Sequence, residues 1–303
     1  MKVIIVGLPY FAKKIIRDLS EFAPQHTYRF YNTYYSKWHQ VKFAAMLPFA
    51  DIVISMNGVS DKSGSLDLVL KMRKKLWLQW QGTDVLLAVE RSKNNTIDKK
   101  YIDYAVNYTD ATWMKDELKS IKIECELLQF KWLNIPILSK KYTELSAYSY
   151  LPKGKENFYG WKIIFHLAER NPDIPFYIAG TNGDGLQKTN NIIFLGWIPE
   201  KEMCELRDKT PICLRLPQHD GYSLTVIEAL SCGNEVIWTM PHEQCHLLKN
   251  IKDTEMIFEK VVDNLRKRNL LRNENNILFV KNNFSREEVL GNFLKIIKKV
   301  VSK

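Results

Sequence analysis

The sequence predicts an α/β fold with two parallel sheets, and three observations lead to that prediction. Short apolar runs alternate with amphipathic stretches along the chain, as expected where strands and helices follow one another. Several of these runs end in glycine, which suits the turn that follows a strand. The length of 303 residues exceeds what one hydrophobic core usually needs, so two domains are expected.

The first half opens with the apolar run KVIIV, a strand buried on both faces, and Gly7 then turns into the helix FAKKIIRDLSEF. Lysines interrupt this opening too often for a signal peptide. Strands are also predicted at ADIVISM and KLWLQW, with a helix that opens near Ser65 between them. Two short strands, DATWM and IECELL, flank the helix KDELKSI. These elements make up the first predicted domain, residues 1–143.

The second half begins with the strand AYSYLP and the helix WKIIFHLAER. The strands IPFYIAG and NIIFLG follow, and PICLRL, a helix at 224–232 and NEVIWT continue the alternation. Together they form the second predicted domain, 144–284, after a linker near 135–147 where the pattern lapses. The last segment, 285–303, is predicted to be an amphipathic helix, because Ser285 and Glu288 have the spacing of a capping box.

Positive charge is concentrated in the first half of the chain. The formal net charge is +10, and residues 1–143 carry 22 Lys and Arg against 14 Asp and Glu. The densest cluster is KMRKK at 71–75. This asymmetry indicates an anionic acceptor or a membrane face as partner, or else a solvated helix surface. Nucleic acid is not expected, because no helix-turn-helix, RNA-recognition or zinc-finger signature is present.

The five cysteines include no Cys-x-x-Cys pair and no zinc-like spacing, which favours reduced thiols over a disulfide framework. No apolar run approaches the roughly 20 residues that a membrane-spanning helix needs. We therefore expect a cytoplasmic protein without a transmembrane segment, at most peripheral on the inner face of a membrane.

Two acidic residues stand out in the stretch LRLPQHDGYSLTVIEALSCG, residues 214–233. Glu228 lies in a helix that is otherwise almost wholly apolar, and a buried carboxylate is costly unless it has a partner. Ser223 is a plausible N-cap, and the free amides of the first helical turn would attract an anion. The Glu228 side chain leans toward that same end of the helix. A carboxylate beside a phosphate site suggests binding to a ribose diol.

The arrangement resembles the acid-x7-acid motif of retaining glycosyltransferases with the GT-B fold, especially glycosyltransferase family 4. Asp220 and Glu228 have seven residues between them, and DGYSLTVIEALSCG is similar to the family's EGF…EA…CG pattern. The resemblance implies two Rossmann-like domains that face a cleft, the acceptor on the first and a nucleotide-sugar donor on the second. It also implies transfer with retention of anomeric configuration.

The resemblance implies roles for individual residues. Glu228 would bind the ribose and Asp220 the donor sugar. The diphosphate would be held by the loop between them: Gly221, Tyr222, Ser223, Leu224 and Thr225. Gly180, Trp197 and Gly7 are further candidates for contacts with the donor. QGTDV at 81–85 is similar to the family's HGTD segment and implies acceptor-side roles for Gly82 and Asp84.

The chain departs from the family pattern at three places. Asp220 stands where the family usually has Glu, and Gln81 stands where it has His. The usual Arg and Lys after the first strand of the second domain have no clean match, so Lys153 and Lys155 are the candidates to neutralise the leaving phosphate. His219 is the only histidine that we expect near the site.

Each of these residues also has a plainer interpretation. Glu228 could be a partly exposed helix residue, and Asp220 a turn former before glycine. Gly7 could simply end a strand, since GLPYF lacks the G-x-G-x-x-G fingerprint. Asp84 could be a helix N-cap, and Trp197 could close its domain instead of packing on the base.

The sequence predicts neither a metal site nor a cofactor. No Asp-x-Asp is present, and lysines with a helix N-terminus could hold the phosphates without a cation. The predicted function is therefore metal-independent sugar transfer from a nucleotide-sugar. The alternatives are a non-catalytic homologue that binds sugar-nucleotides and a sugar-nucleotide epimerase.

Overall fold

The computed structural model describes residues 1–134, 136 and 138–302. The chain forms two compact units. The first unit consists of 1–132 together with 286–303, and the second of 133–285. Each unit has its own hydrophobic core.

The first unit is a six-stranded parallel sheet with helices between its strands. The strands are β1 (Lys2–Val6), β2 (Thr27–Tyr31), β3 (Ile52–Ser55), β4 (Lys75–Trp80), β5 (Val106–Thr109) and β6 (Glu126–Leu127). The helices are α1 (Pro9–Phe22), α2 (Lys37–Met46), α3 (Gly64–Lys71), α4 (Thr83–Lys93), α5 (Lys100–Tyr104) and α6 (Thr112–Ser120). A 3₁₀ turn, Leu47–Phe49, follows α2.

The spatial order of this sheet is β2-β1-β3-β4-β5-β6. The central strands are apolar on both sides because helices cover both faces, and β3 is wholly buried. The order reverses direction between β1 and β3, which pair from Val3 against Ile52 onward. Such a reversal opens a crevice at the carboxyl ends of the two strands.

The second unit repeats this architecture with a sheet of order β12-β11-β10-β7-β8-β9. Its strands are β7 (Ala147–Tyr150), β8 (Phe176–Ala179), β9 (Ile192–Gly196), β10 (Ile212–Arg215), β11 (Glu235–Trp238) and β12 (His246–Leu247). Its helices are α7 (Trp161–Arg170), α8 (Glu200–Lys209), α9 (Leu224–Ser231), α10 (Thr254–Lys267) and α11 (Glu274–Asn283), with a 3₁₀ turn at Ile251–Asp253. All pairings are parallel. The predicted α/β class with two parallel sheets is confirmed.

The last helix, α12 (Arg286–Ser302), belongs to the first unit. Its apolar side, including Leu290, Phe293 and Ile297, enters the core formed around β1 and β3. The ring of Phe293 lies 5.0 Å from that of Trp77. Arg286 pairs with Glu21 of α1 at 2.6 Å. The segment predicted as a separate C-terminal helix, 285–303, thus completes a core that the first 132 residues leave open.

The boundary between the units also differs from the predicted one, 143/144. Residues from 133 onward pack with the second unit. Tyr142 is buried there, and its hydroxyl donates to the Cys232 carbonyl at 3.0 Å. The predicted linker, 135–147, therefore contains a residue anchored in the second core, although positions 135 and 137 lie outside the described residues.

One predicted strand of the first half is wrong. DATWM is not a strand, because α6 begins within it at Thr112 and the strand lies earlier, at Val106–Thr109. β2 and β12, which each form one edge of their sheet, are not among the predicted strands. Edge strands carry a weaker apolar signal because one side is open, and β2 alternates exposed and buried residues.

Candidate functional site

The strand order of the second unit reverses between β7 and β10, which lie side by side with Ala147 opposite Ile212. The loops that leave their carboxyl ends, 151–160 and 216–223, meet there, and the Gln218 N–H donates to the Phe158 carbonyl at 2.9 Å. In open parallel sheets this reversal is where ligands bind. Both predicted acids lie on the β10 side of this point, Asp220 in the loop and Glu228 in α9.

Asp220 forms a bidentate ion pair with Arg215, the last residue of β10. Arg215 Nε lies 2.7 Å from Asp220 Oδ2, and Arg215 Nη2 lies 3.0 Å from Oδ1. The indole Nε1 of Trp238 donates to Oδ2 at 3.3 Å. The Arg215 side chain keeps only 10% of its surface exposed, and the Asp220 side chain 13%. Asp220 is therefore fixed in place by two neighbouring strand ends.

Arg215 is held from a third side by an aromatic ring. Its guanidinium carbon lies 4.8 Å from the centre of the Tyr159 ring, which belongs to the loop after β7. Burial lowers the pKa of Arg215, but the Asp220 carboxylate together with Tyr159 and Cys213 raises it by more, so the group keeps its charge. No described residue accepts a hydrogen bond from its Nη1. The N–H groups of this nitrogen could donate hydrogen bonds to a bound anion.

Glu228 is paired as well. Its Oε2 lies 3.0 Å from Nη1 of Arg207, a residue of α8 whose side chain is almost wholly buried. The Glu228 side chain keeps 20% of its surface exposed. Burial lowers the pKa of Arg207, but Glu228 together with Tyr148 and the nearby cysteines raises it by more. The pairing answers why a carboxylate is tolerated in an apolar helix, because a buried arginine compensates its charge.

Ser223 occupies the N-cap position of α9, as predicted, but its hydroxyl makes no capping hydrogen bond. The Ser223 hydroxyl therefore does not occupy the helix end, where Gly221 and Ser223 are buried and Leu224 and Thr225 half-buried. An anion could occupy the position that a cap would otherwise fill.

Tyr222 faces a different environment. Its hydroxyl lies 2.6 Å from His242 Nε2, and the Gln244 N–H donates to His242 Nδ1 at 3.1 Å. Neutral His242 therefore carries its proton on Nε2 and donates it to the Tyr222 oxygen. Burial lowers the pKa of His242, which favours that neutral form. The ring of Tyr222 also packs against Trp238 and Phe284, so this residue anchors the loop.

The two predicted cations lie in the loop after β7 and are exposed. Lys153 Nζ lies 3.4 Å from Asp184 Oδ2, and both side chains keep 71% of their surface exposed. An ion pair in open water contributes little, with a typical value of about 0–1 kcal/mol. The buried cation of this edge is Arg215, which the sequence analysis passed over. The signal that could have found it is an arginine inside the otherwise apolar strand PICLRL.

Gly180 and Trp197 follow β8 and β9. A Cβ on Gly180 would lie 2.6 Å from the Leu151 carbonyl oxygen, so the chain after β8 approaches the loop after β7 at a distance that only glycine permits. Trp197 is 77% exposed. It does not close the domain, which was one of its two interpretations.

In the first unit, Asp84 is bound by the backbone around it. Its carboxylate accepts hydrogen bonds from the N–H groups of Gly58 at 2.5 Å, Gln81 at 3.0 Å, Gly82 at 2.8 Å and Val85 at 3.0 Å. Burial raises the pKa of Asp84, and these four donors oppose the shift. The residue fastens the start of α4, whose N-cap is Gly82, to the loop after β3.

Gly7 lies at the reversal of strand order in the first unit. A Cβ there would lie 2.2 Å from Oδ1 of Asn57, which follows β3, so the two strand ends approach each other closely. The next strand ends carry a second buried charge pair, Asp110 with Lys131. Lys131 also lies over the Phe130 ring, 4.6 Å from its centre.

Within the described residues, no cluster of three or more His, Cys, Asp or Glu side chains could hold a metal ion. A cavity of about 810 Å³ lies in the first unit, lined by residues such as Lys75, Val106 and Glu126. Those residues begin β4, β5 and β6, so this cavity lies at the edge of the sheet opposite the carboxyl ends.

No protein-family model and no curated protein sequence matches the chain. Several solved structures match its fold. Sucrose-phosphate synthase from Thermosynechococcus elongatus has a TM-score of 0.71 at 10% identity, and each chain is covered completely. The pneumococcal O-GlcNAc transferase GtfA, in complex with UDP and GlcNAc, has a TM-score of 0.61 at 12% identity over 87% of this chain and 60% of that one.

An alpha-glucosyltransferase in complex with UDP and a 13-mer DNA has a TM-score of 0.57 at 11% identity over 99% of both chains. The chain spans about 60% of the length of GtfA. With its two six-stranded parallel sheets, the protein has the GT-B fold of these glycosyltransferases.

Proposed function

We propose that this protein transfers a sugar from a nucleotide-sugar to an acceptor. The observation that carries the proposal is the carboxyl edge of the second sheet at β7 and β10, where the strand order reverses. A buried arginine with an unused nitrogen and the uncapped start of α9 both belong to that edge. Solved neighbours of the same fold bind UDP or UDP-glucose, which supports a nucleotide-sugar as the donor.

The diphosphate is proposed to bind at the start of α9. The amides of residues 221–225 supply neutral donors, and the helix dipole adds partial positive charge at the same end. Ser223 leaves this position unoccupied by its own hydroxyl. Trp197, which is exposed, would offer its ring to the base. Gly180 and Gly7 would serve by letting the loops beside them pack closely, against Leu151 and Asn57.

The proposed role of Glu228 is to bind the ribose diol. Arg207 contacts Oε2 from the side of α8, and its charge offsets that of the carboxylate. An ionised carboxylate accepts stronger hydrogen bonds from hydroxyl groups than a neutral acceptor does. In this proposal the ion pair positions Glu228 for binding, and does more than offset its charge inside the helix.

The leaving diphosphate needs a cation, and we propose Arg215 for that role over Lys153 and Lys155. A charge stabilises a developing anion most strongly where water is excluded, and Arg215 is buried whereas both lysines are exposed. Asp220 would orient the guanidinium and also contact the donor sugar. In the reaction, the bond between the anomeric carbon and the phosphate oxygen breaks, and its electron pair leaves with the diphosphate. The acceptor oxygen bonds to that carbon, and its proton passes to the leaving diphosphate.

The finer points of the reaction belong to the same proposal. Retention of configuration follows from the resemblance to family 4, and with Arg215 and the α9 amides at the phosphates the reaction needs no metal. The acceptor is proposed to be anionic and to bind the first unit, whose residues carry the positive charge of the chain. Gly82 and Asp84 would then shape the acceptor side through the loop that they hold.

A second candidate function is nucleotide-sugar binding without transfer. It is favoured by the engagement of both motif acids in arginine pairs and by Gln81 in place of histidine. Incubating the protein with UDP-, GDP- and ADP-sugars and following hydrolysis separates the two candidates. We expect slow release of free sugar from one donor. A thermal shift with a nucleotide but no hydrolysis or transfer would favour the binder, and no shift with any nucleotide would contradict both.

A further inference from the structure

A surface of the first unit exposes aromatic rings to an unusual degree. Tyr34, Tyr35 and Trp38 expose 82%, 77% and 63% of their surface, and Val41 exposes 59%. They lie in the loop after β2 and on α2. A folded protein rarely exposes several large apolar side chains together unless they contact a partner. We call Tyr34, Tyr35, Trp38, Val41 and Lys42 the α2 surface.

The helix pattern of α2 shows that this exposure is not incidental. Phe43 is the buried residue of the helix, and it packs against Tyr31 of β2 at 6.2 Å between ring centres. Trp38 and Val41 lie on the opposite side, at the i and i+3 spacing of one helix face. A helix that packs only against its own domain would present polar residues there. The helix α2 is apolar on both sides, so the outer side lacks a partner within its own unit.

The segment that carries the α2 surface has charged residues of one sign only. Residues 22–50 contain no Asp or Glu, but they contain Arg29, Lys37 and Lys42. Lys42 lies over the Trp38 ring, with Nζ 5.0 Å from its centre. Beyond the 3₁₀ turn, Lys74 donates to the carbonyls of Pro48 and Ala50. This contact places the basic cluster 71–75 beside the same segment.

We propose that the α2 surface docks on an anionic lipid bilayer. Tyrosine and tryptophan are the aromatic residues that favour the boundary between headgroups and acyl chains. Lysines beside them can lay their methylene stems on the apolar layer and reach anionic headgroups with the ammonium. Residues 22–50 contain no carboxylate, and this favours an anionic bilayer over a protein as the partner. A protein surface of mixed charge would leave some lysines of this segment without an acidic partner. Within the described residues no helix is long and apolar enough to cross a bilayer.

The structure also refines the role of the basic cluster. Lys71 and Arg73 are exposed and remain available to headgroups. Lys74 is engaged with backbone carbonyls, and Lys75 begins β4. We therefore expect Lys71 and Arg73 to contribute to lipid binding, whereas changing Lys74 would also disturb the fold.

The test is sedimentation of the full chain with vesicles of phosphatidylcholine, with and without phosphatidylglycerol. The variant Tyr34→Ser/Tyr35→Ser/Trp38→Ser should weaken binding to the anionic vesicles by about tenfold or more, because three large apolar groups are removed. Lys37→Gln/Lys42→Gln should weaken it by about fivefold for each charge at low salt. Met256→Ser is the matched control, since Met256 is as exposed as Trp38, at 63%, but lies in the second unit, and it should bind vesicles like the unchanged protein.

Urea midpoints of all variants establish that they remain folded, and their nucleotide affinity should be unchanged because the α2 surface is separate from the proposed donor residues. The proposal therefore stands or falls independently of the proposed function. It is overturned if the unchanged protein does not sediment with anionic vesicles, or if the aromatic variant binds them normally. The proposal of lipid docking is also overturned if the same three rings instead mediate binding to a soluble polysaccharide or self-association.

Discussion

Asp84 and Asp220 occupy comparable places at the carboxyl edges of two similar sheets, but they have different partners. Asp84 accepts hydrogen bonds from four backbone N–H groups, and these donors belong to the loops that it joins. Asp220 is paired with Arg215, whose Nη1 donates to no described residue. Asp84 is bonded to the backbone of the protein itself, whereas Arg215 keeps a nitrogen that could donate to a ligand. Two sheet edges of the same topology thus differ in their side chains, and the side chains decide which edge could bind a ligand.

The largest effect is expected at Arg215. The change Arg215→Met removes the cation proposed for the leaving diphosphate and should lower turnover by about 10²–10³-fold, a loss of about 2.7–4 kcal/mol. Because Met would leave Asp220 unpaired, the double variant Arg215→Met/Asp220→Asn is needed to separate catalysis from folding. Both variants should bind the nucleoside diphosphate more weakly and the nucleoside normally.

Asp220→Asn alone should leave diphosphate affinity nearly intact while lowering transfer or hydrolysis strongly, since its proposed contact is with the sugar. Turnover and calorimetry on the same preparations provide both measurements. Normal turnover in the double variant would mean that Arg215 and Asp220 only hold the loop, and Lys153 or Lys155 would become the candidate cation again.

The next effect concerns stability and tests the backbone hydrogen bonds of Asp84 in the first unit. Asp84→Asn places an amide N–H₂ group against backbone donors and removes a charged acceptor, so unfolding should become easier by about 1.5–3 kcal/mol. Asp61→Asn is the control, because Asp61 is an exposed partner of Arg91 and should cost at most about 1 kcal/mol. Urea denaturation measures both. Equal midpoints for the two variants would contradict the structural role of Asp84.

Glu228→Gln tests whether the second ion pair serves a ligand. Loss of charge-assisted hydrogen bonds should weaken binding of the cognate diphosphate by about 1.5–3 kcal/mol, or roughly ten- to a hundredfold. The sharper measurement compares the ribonucleotide with its 2′-deoxy form. The unchanged protein should prefer the ribonucleotide, and Glu228→Gln should bind the two more nearly alike. A variant that keeps the full preference but is less stable would show that Glu228 serves only as the partner of Arg207.

The smallest effect is expected at Lys153. Its ion pair with Asp184 is exposed, so Lys153→Gln should change nucleotide affinity by less than about 1 kcal/mol. Calorimetry at low and high salt checks this expectation, since screening would remove what little contribution exists. If Lys153→Gln lost as much turnover as Arg215→Met, Lys153 in the loop after β7 would be the cation that stabilises the leaving diphosphate.

The fold class could be predicted because it depends on local patterns, such as the buried runs KVIIV and PICLRL and the helices between them. The Ser223 N-cap position followed from the same kind of pattern. The partners of the two acids could not be predicted, because Arg207 and Arg215 reach them through tertiary packing. Likewise the return of α12 to the first unit depends on contacts between residues more than 200 positions apart, which no local period encodes.

That return has a consequence for biosynthesis. The first unit is built from two segments, and the second unit lies between them in the chain. Ribosomes add about 5–20 residues per second, so roughly 8–30 seconds pass between the end of the first segment and the start of α12. During that interval the apolar side of β1 and β3 lacks Leu290, Phe293 and Ile297. The second unit, continuous in sequence, can complete its own core first, and the segment made earliest is the one that matures last.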